Sequence, residues 1–292
     1  MARRALSASR AADLLNFLAA HPDERLTYSE LSRRLGISLA SMHSILATLT
    51  EYGYLSYQPS DRSYALGSAL VAIGDASLKK NPYVDATRSR MDAFSARSRL
   101  ETLAFVRAGA DTLCVARAGT PAGPGRIVHV GQRVPLIAPL AAAVVAWASD
   151  EEQAAWIERG GAPQVERRQQ RVLLEVVRER GYSVALEVEG RRRLGDALEG
   201  LRENPHSRTL RREMRRHIAE LGQKGYPLKT GSTASYAVST ITAPVLDEYG
   251  DFAVSVSLQG FAPRTSGAAI ARIGEELVSF CRDVARGAAA TA

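Results

Sequence analysis

Near the start of the chain, Ala11, Leu14, Leu15 and Leu18 recur at the three-and-four spacing of a helix with one apolar face. A second helix is predicted to open at Thr27. There the hydroxyl can cap an orphan backbone N–H, and Glu30 three residues on completes a reciprocal capping box. This helix runs to Leu35, and Gly36 supplies a left-handed stop. After a short turn Ser38 is placed to cap a third helix, with Met42, Ile45, Leu46 and Leu49 along one face. Two helices joined across a glycine-containing turn form a helix-turn-helix. Beyond Gly53, Tyr54-Leu55-Ser56-Tyr57 and Ser63-Tyr64-Ala65-Leu66 flank the turn-forming Pro59-Ser60-Asp61-Arg62, which predicts a hairpin. Residues 1–67 therefore read as a winged helix-turn-helix, although the same pattern also occurs in domains that only contact other proteins.

Ser68 to Lys79 is apolar at Leu70, Val71, Ile73 and Leu78 and stops before Asn81-Pro82, which predicts a linker helix within 68–81. From Tyr83 onward a helix to about Ser98 is followed by strand-like runs at 101–107, 112–117 and 126–130, and a further strand is expected at 253–260. Strands interspersed with helices make residues 82–292 an α+β domain.

Several of these segments, taken together and in order, resemble the IclR family of bacterial transcription regulators. They are the N-terminal motifs above, Val130-Gly131-Gln132-Arg133-Val134-Pro135-Leu136, and Ile241-Thr242-Ala243-Pro244-Val245-Leu246-Asp247 with Gly250 after it. The resemblance implies a winged helix-turn-helix joined by a linker helix to a GAF-like, antiparallel-sheet effector-binding domain. It implies double-stranded operator DNA, a small organic effector and a second copy of the chain as partners, in a homodimer or a tetramer. Repression is implied in preference to activation. If the third helix enters the major groove, Ala40, Ser41, His43, Ser44 and Thr48 face the bases, with Ser38 at its start. Where the family more often has a basic residue and an Arg, this chain has Leu39 and Ser44, which moves phosphate anchoring onto Arg10, Arg33, Arg34 and Arg62.

For the effector, the resemblance places Thr240, Ser257 and Gln259 as polar groups and Val134 and Ala141 as walls. Pro139 is expected to start a helix running through Trp147, whose N-terminus would attract a carboxylate. Leu140 stands where the family has glycine, which narrows the site and favours a ligand with a hydrophobic or aromatic body. None of these pocket residues is charged. The family has one Gly-Tyr after a basic helix, whereas this chain has two, Gly181-Tyr182 and Gly225-Tyr226. An insertion at about 188–230 follows, with Leu194, Leu198 and Leu201, then Leu210, Met214, Ile218 and Leu221, at helical spacing. Arg211, Arg212, Arg215 and Arg216 lie opposite. That basic face reads as a solvated surface, or as extra dimer contact, a pocket lid or added phosphate contacts.

Composition narrows the function further. The net charge of +7 suits a nucleic-acid partner, yet residues 1–80 hold nine basic against seven acidic residues, and most of the excess lies between Gly190 and Lys229. Two cysteines are too few for a disulfide framework, neither has metal-ligand spacing, and no cofactor motif is present. A cytoplasmic protein is expected, since Met1-Ala2-Arg3-Arg4 lacks the apolar run of a signal peptide and no stretch is long enough to span a membrane. There is no Gly-x-Ser-x-Gly elbow, phosphate loop or His-Glu-x-x-His, so no enzyme is expected. An enzyme fused to a DNA-binding head, and a DNA-binding or protein-binding module without a ligand, are the competing readings.

Overall fold

The computed structural model describes the chain except residues 1–4, 122–127, 162, 222–225, 227–232 and 291–292. Two compact units emerge: residues 1–80 together with 199–210, and residues 81–198 together with 211–292.

In the first unit, α1 (Leu6–Ala20), α2 (Tyr28–Leu35) and α3 (Leu39–Glu51) surround a core of Leu14, Phe17, Leu31, Leu35, Met42 and Leu46. The expected capping box is present. The Thr27 side chain accepts from the Glu30 N–H, and the Thr27 N–H donates 2.8 Å to the Glu30 carboxylate. The Thr27 N–H and hydroxyl both donate to the Glu30 carboxylate and hold it below its usual range. Gly36 ends α2 at φ +60°, a backbone that glycine adopts without steric cost. The wing is β2 (Leu55–Gln58) against β3 (Ser63–Leu66), and β3 also pairs with the short β1 (Leu26–Thr27). Asp61 fixes the wing turn by accepting from the Ser63 N–H and hydroxyl and from Arg25 at 2.7 Å. The connector α4 (Ala69–Lys79) buries none of its residues, and Val71 on it is 64% exposed.

The second unit is built on a six-stranded antiparallel sheet of order β6-β5-β4-β10-β9-β7. Its strands are β4 (Glu101–Ala108), β5 (Asp111–Ala118), β6 (Arg133–Pro135), β7 (Ser183–Leu186), β9 (Val238–Leu246) and β10 (Phe252–Gln259). Of the strand expected at 126–130, residues 126 and 127 lie outside the described residues, and 128–130 are not strand. The third strand of the run is β6 instead. Two long helices pack on the sheet, α5 (Pro82–Ser98) and α11 (Gly267–Ala289), locked to each other by Phe94 stacking on Phe280 at 4.3 Å. A small ladder, β8 (Ser235–Tyr236) with β11 (Thr265–Ser266), leads into α11. Between β6 and β7 run α6 (Ala142–Val145), α7 (Asp150–Arg159) and α8 (Gln164–Arg180).

The segment expected to be an insertion forms two helices, α9 (Glu189–Glu203) and α10 (Arg208–Leu221). The end of α9, the turn and the start of α10 belong to the first unit. The first Gly-Tyr copy leads straight into β7, which pairs with β9.

Candidate nucleic-acid interface and effector site

Helix α3 presents a solvent-exposed face. Leu39 is 54% exposed, and Ala40, His43, Ser44 and Thr48 are exposed as well. The helix carries no Lys or Arg. The hydroxyls expected to meet bases are partly committed. Ser38 caps the helix through the Ser41 N–H and donates to Ser41 Oγ at 3.0 Å, while Arg10 donates to the same oxygen at 3.1 Å. Ser44 donates back to the Ala40 carbonyl at 3.2 Å. His43 and Thr48 are left as polar groups pointing outward, and His43 lies edge-on to Tyr28. Beside it, Tyr28, Tyr57 and Tyr64 line a cleft between α3 and the wing. Tyr57 and Tyr64 read in sequence only as strand residues of the hairpin and Tyr28 as the start of α2, so nothing local announces the cleft.

The basic residues divide into free and bound. Arg33 is exposed on α2, and Arg62 is exposed at the wing turn at φ +55°. Arg34, expected as a phosphate anchor, is 19% exposed and is held at 2.8 Å by both Glu24 and Glu203, with its guanidinium over the Phe17 ring. Its neighbours explain the difference: Arg202 bonds Glu203 at 2.7 Å and the Ala20 carbonyl at 3.2 Å, and the buried His21 donates from Nδ1 to the Phe17 carbonyl at 2.7 Å. His21, Glu24 and Glu203 stand within reach of a common metal ion. Two guanidiniums already neutralise the two carboxylates, so the trio reads as an ion-pair network.

In the second unit the strand register settles which expected residues share a face. Ser257 lies opposite Thr242 and Leu103, Gln259 opposite Glu101, Thr240 opposite Ala185, and Val134 opposite Thr112. Because side chains alternate with period two, Thr240, Ser257, Gln259 and Val134 occupy one face. Leu103, Phe105 and Cys114 form an apolar cluster on that face, with Val134 against it. The Ser257 hydroxyl is paired with the Thr242 hydroxyl at 2.7 Å.

One expectation about this region changes, and the same face carries a charged pair outside the expected residues. Glu101, whose side chain is fully buried, pairs with Arg117 at 2.6 Å. A Glu opening an apolar strand was the available signal. No helix begins at Pro139. The Ala138–Pro139 peptide is cis, Ala141 is left-handed at φ +57°, and α6 spans four residues only. The Leu140 carbonyl accepts from the buried Trp156 indole at 2.9 Å, so Leu140 and Ala141 sit in a turn braced by α7.

A three-helix head with a wing is thus followed by an antiparallel sheet carrying a mixed polar and apolar face. Residues 7–59 match the model of the IclR helix-turn-helix domain. The glycerol operon regulatory protein of Streptomyces griseus is 36% identical over 78 residues, 27% of this chain and 30% of that protein. The HTH-type transcriptional regulator XynR of Escherichia coli is 24% identical over 153 residues, 52% of this chain and 60% of that protein. The matched segments thus span from under a third to three fifths of these relatives. Among solved structures, an IclR transcriptional regulator from Alicyclobacillus acidocaldarius aligns with a TM-score of 0.60 at 18% identity, covering 99% of this chain and 98% of that one. An IclR homolog from Microbacterium hydrocarbonoxydans, complexed with 4-hydroxybenzoate, aligns with a TM-score of 0.61 at 16% identity, covering 96% and 99%. The N-terminal head therefore matches the IclR helix-turn-helix domain, and the chain has the fold of the solved IclR-type structures. Among the described residues no helix is long and apolar enough to cross a membrane.

Proposed function

We propose that this chain is a transcription regulator that binds operator DNA through α3 and the wing, with operator affinity controlled by a small organic acid bound on the sheet face of the second unit. The observation that carries the reading is the IclR helix-turn-helix match on a head whose α3 is solvent-exposed along the expected groove face. His43 and Thr48 offer hydrogen bonds to base edges, Leu39 and Ala40 offer apolar contact to thymine methyls, and Arg33 and Arg62 meet phosphates. Arg10, Ser38, Ser41 and Ser44 support the start of α3, and Arg34 braces the head. A footprint overlapping a promoter makes the protein a repressor.

The exposed Val71 and Ile73 of α4 would be covered by the same helix of a second copy, giving a dimer with two reading heads and an operator with two half-sites. For the effector, Leu103, Phe105 and Val134 favour an aromatic or aliphatic body, Thr240 and Gln259 provide hydrogen bonds, and Arg117 beside Glu101 is the cation able to meet a carboxylate. A relative of the same fold holds 4-hydroxybenzoate, which has this chemistry. The effector acts only through a difference in its affinity for DNA-competent and DNA-incompetent arrangements. The test is a thermal-shift screen of small aromatic acids, including 4-hydroxybenzoate, on the wild type and on Gln259→Leu. A shift in the wild type that shrinks in the variant supports the site, and an equal shift in both places the ligand elsewhere.

A further inference from the structure

The cleft between α3 and the wing lies wholly within the first unit. Its volume is about 420 Å³, within the range of sites that receive a ligand group, and it stands open to solvent on one side. Tyr57 and Tyr64 form its wing wall. They are direct cross-strand partners in β2 and β3, so both rings leave the same face of the hairpin, with centroids 5.0 Å apart. His43 and Ala47 of α3 form the opposite wall, and both are exposed. His43 thus belongs at once to the cleft and to the groove face of the helix. Among the described residues lining the cleft there is no Lys, Arg, Asp or Glu.

Of the three phenols, that of Tyr28 is already used: it donates 2.7 Å to the Leu39 carbonyl and so holds the start of α3. The hydroxyls of Tyr57 and Tyr64 have no hydrogen-bond partner among the described residues, and Tyr57 is 44% exposed. Burial, and then the neighbouring Tyr57 and Tyr28 phenols, push the Tyr64 hydroxyl above its usual range, so it stays a protonated donor. The cations of the head are engaged elsewhere or absent: Arg34 is held by Glu24 and Glu203, Arg25 by Asp61, and α3 has none. A sugar-phosphate strand separates the major groove of a duplex from the minor groove. With α3 in the major groove and the wing on the far side of that strand, the strand crosses the cleft. Helix α3 and the wing are parts of one unit, so the second unit has no bearing on this geometry.

We propose that the Tyr57 and Tyr64 hydroxyls grip a backbone phosphodiester of the operator, as uncharged hydrogen-bond donors set in the cleft between α3 and the wing. Neutral donors bind phosphate oxygens without neutralising them, so they add affinity without releasing counterions. The inference rests on the DNA-binding reading above and deepens it. The head owes part of its affinity to contacts that salt does not weaken, and these fix the wing on the backbone while leaving base selection to α3.

The test is the salt dependence of binding by the full chain to a duplex of its own upstream intergenic DNA and to a scrambled duplex. It compares the wild type, the double variant Y57F/Y64F, Tyr57→Arg, and a control, Tyr249→Phe, whose phenol is 83% exposed on the turn between β9 and β10. Phenylalanine removes the hydroxyls and keeps both rings and their packing, which a thermal melt verifies. The Phe pair is expected to weaken both duplexes by the same factor, about tenfold, with the slope of log K against log salt unchanged. Tyr57→Arg should turn a neutral contact into a charged one and steepen the slope by about 0.9. Unaltered affinity in the Phe pair, or an equal loss in the control, overturns the proposal and leaves the cleft to a small molecule or to solvent. A loss confined to the upstream duplex overturns it in favour of base reading, and a flattened slope in the Phe pair overturns it in favour of a neighbouring cation. A wild type that binds neither duplex overturns the underlying DNA-binding reading itself, so the two failures are distinct.

Discussion

Arg33 and Arg34 are neighbours on α2, and only the structure separates their roles. Replacing Arg34 with Ala removes two ion pairs of 2.8 Å, the one to Glu203 also a hydrogen bond, and a guanidinium 5.9 Å from the Phe17 ring centroid. Fully buried bonds of this kind contribute up to about 3 kcal/mol each, but Glu24 and Glu203 remain about a third exposed, which lowers the total to about 2 kcal/mol. That loss should appear as local opening of the head. Hydrogen exchange of backbone amides in α1 and α2 is expected to quicken about thirtyfold in Arg34→Ala, since each 1.4 kcal/mol is a factor of ten. Arg33→Ala should leave exchange unchanged and reduce the salt slope of DNA binding by about 0.9. The reasoning is refuted if Arg34→Ala leaves exchange as in the wild type and lowers the salt slope instead, because Arg34 would then be a phosphate anchor.

Further consequences follow from the second unit. Arg117→Ala leaves the buried Glu101 carboxylate without its cation and should cost about 3 kcal/mol, read as a fall of roughly 6–12 °C in the tryptophan-fluorescence melt. The double change Glu101→Leu with Arg117→Met should recover most of that fall, and no recovery would mean that packing rather than charge was lost. Ala141→Gly relieves a left-handed backbone and is expected to stabilise by up to about 1 kcal/mol after glycine's added chain entropy is subtracted; a lowered melting temperature would contradict this. Burial pushes the Cys114 thiol up to about 12 and raises Cys281 as well, so both should resist a thiol reagent at pH 8 in the native protein and react fully in urea. Rapid native labelling of either would show that its surroundings open.

Much of the head was legible because its signals are local. Thr27 with Glu30, Gly36, Ser38 and the Pro59 to Arg62 turn each act within a few residues, and all four are found as read. The helices α4, α9 and α10 also follow from apolar spacing alone. What escaped depends on residues far apart in sequence. Nothing near Arg34 announces Glu203, which lies 169 positions away, and nothing near Ser257 announces its hydrogen bond to Thr242. The turn after β6 was misread because a proline followed by alanines is good helix composition, whereas the Trp156 indole holds the Leu140 carbonyl outside any helical ladder. The charged pair on the sheet face was missed because Glu101 reads as a strand end until its burial is seen.

The most direct test of the central claim is a fluorescence-anisotropy titration of the full chain against its own upstream intergenic DNA and a scrambled duplex of equal length, at two salt concentrations. The account predicts binding to the upstream DNA about a thousandfold or more tighter than to the scrambled duplex, the lower end of the range for specific regulators, with both affinities falling as salt rises. Equal affinity for the two duplexes at both salt concentrations would contradict it.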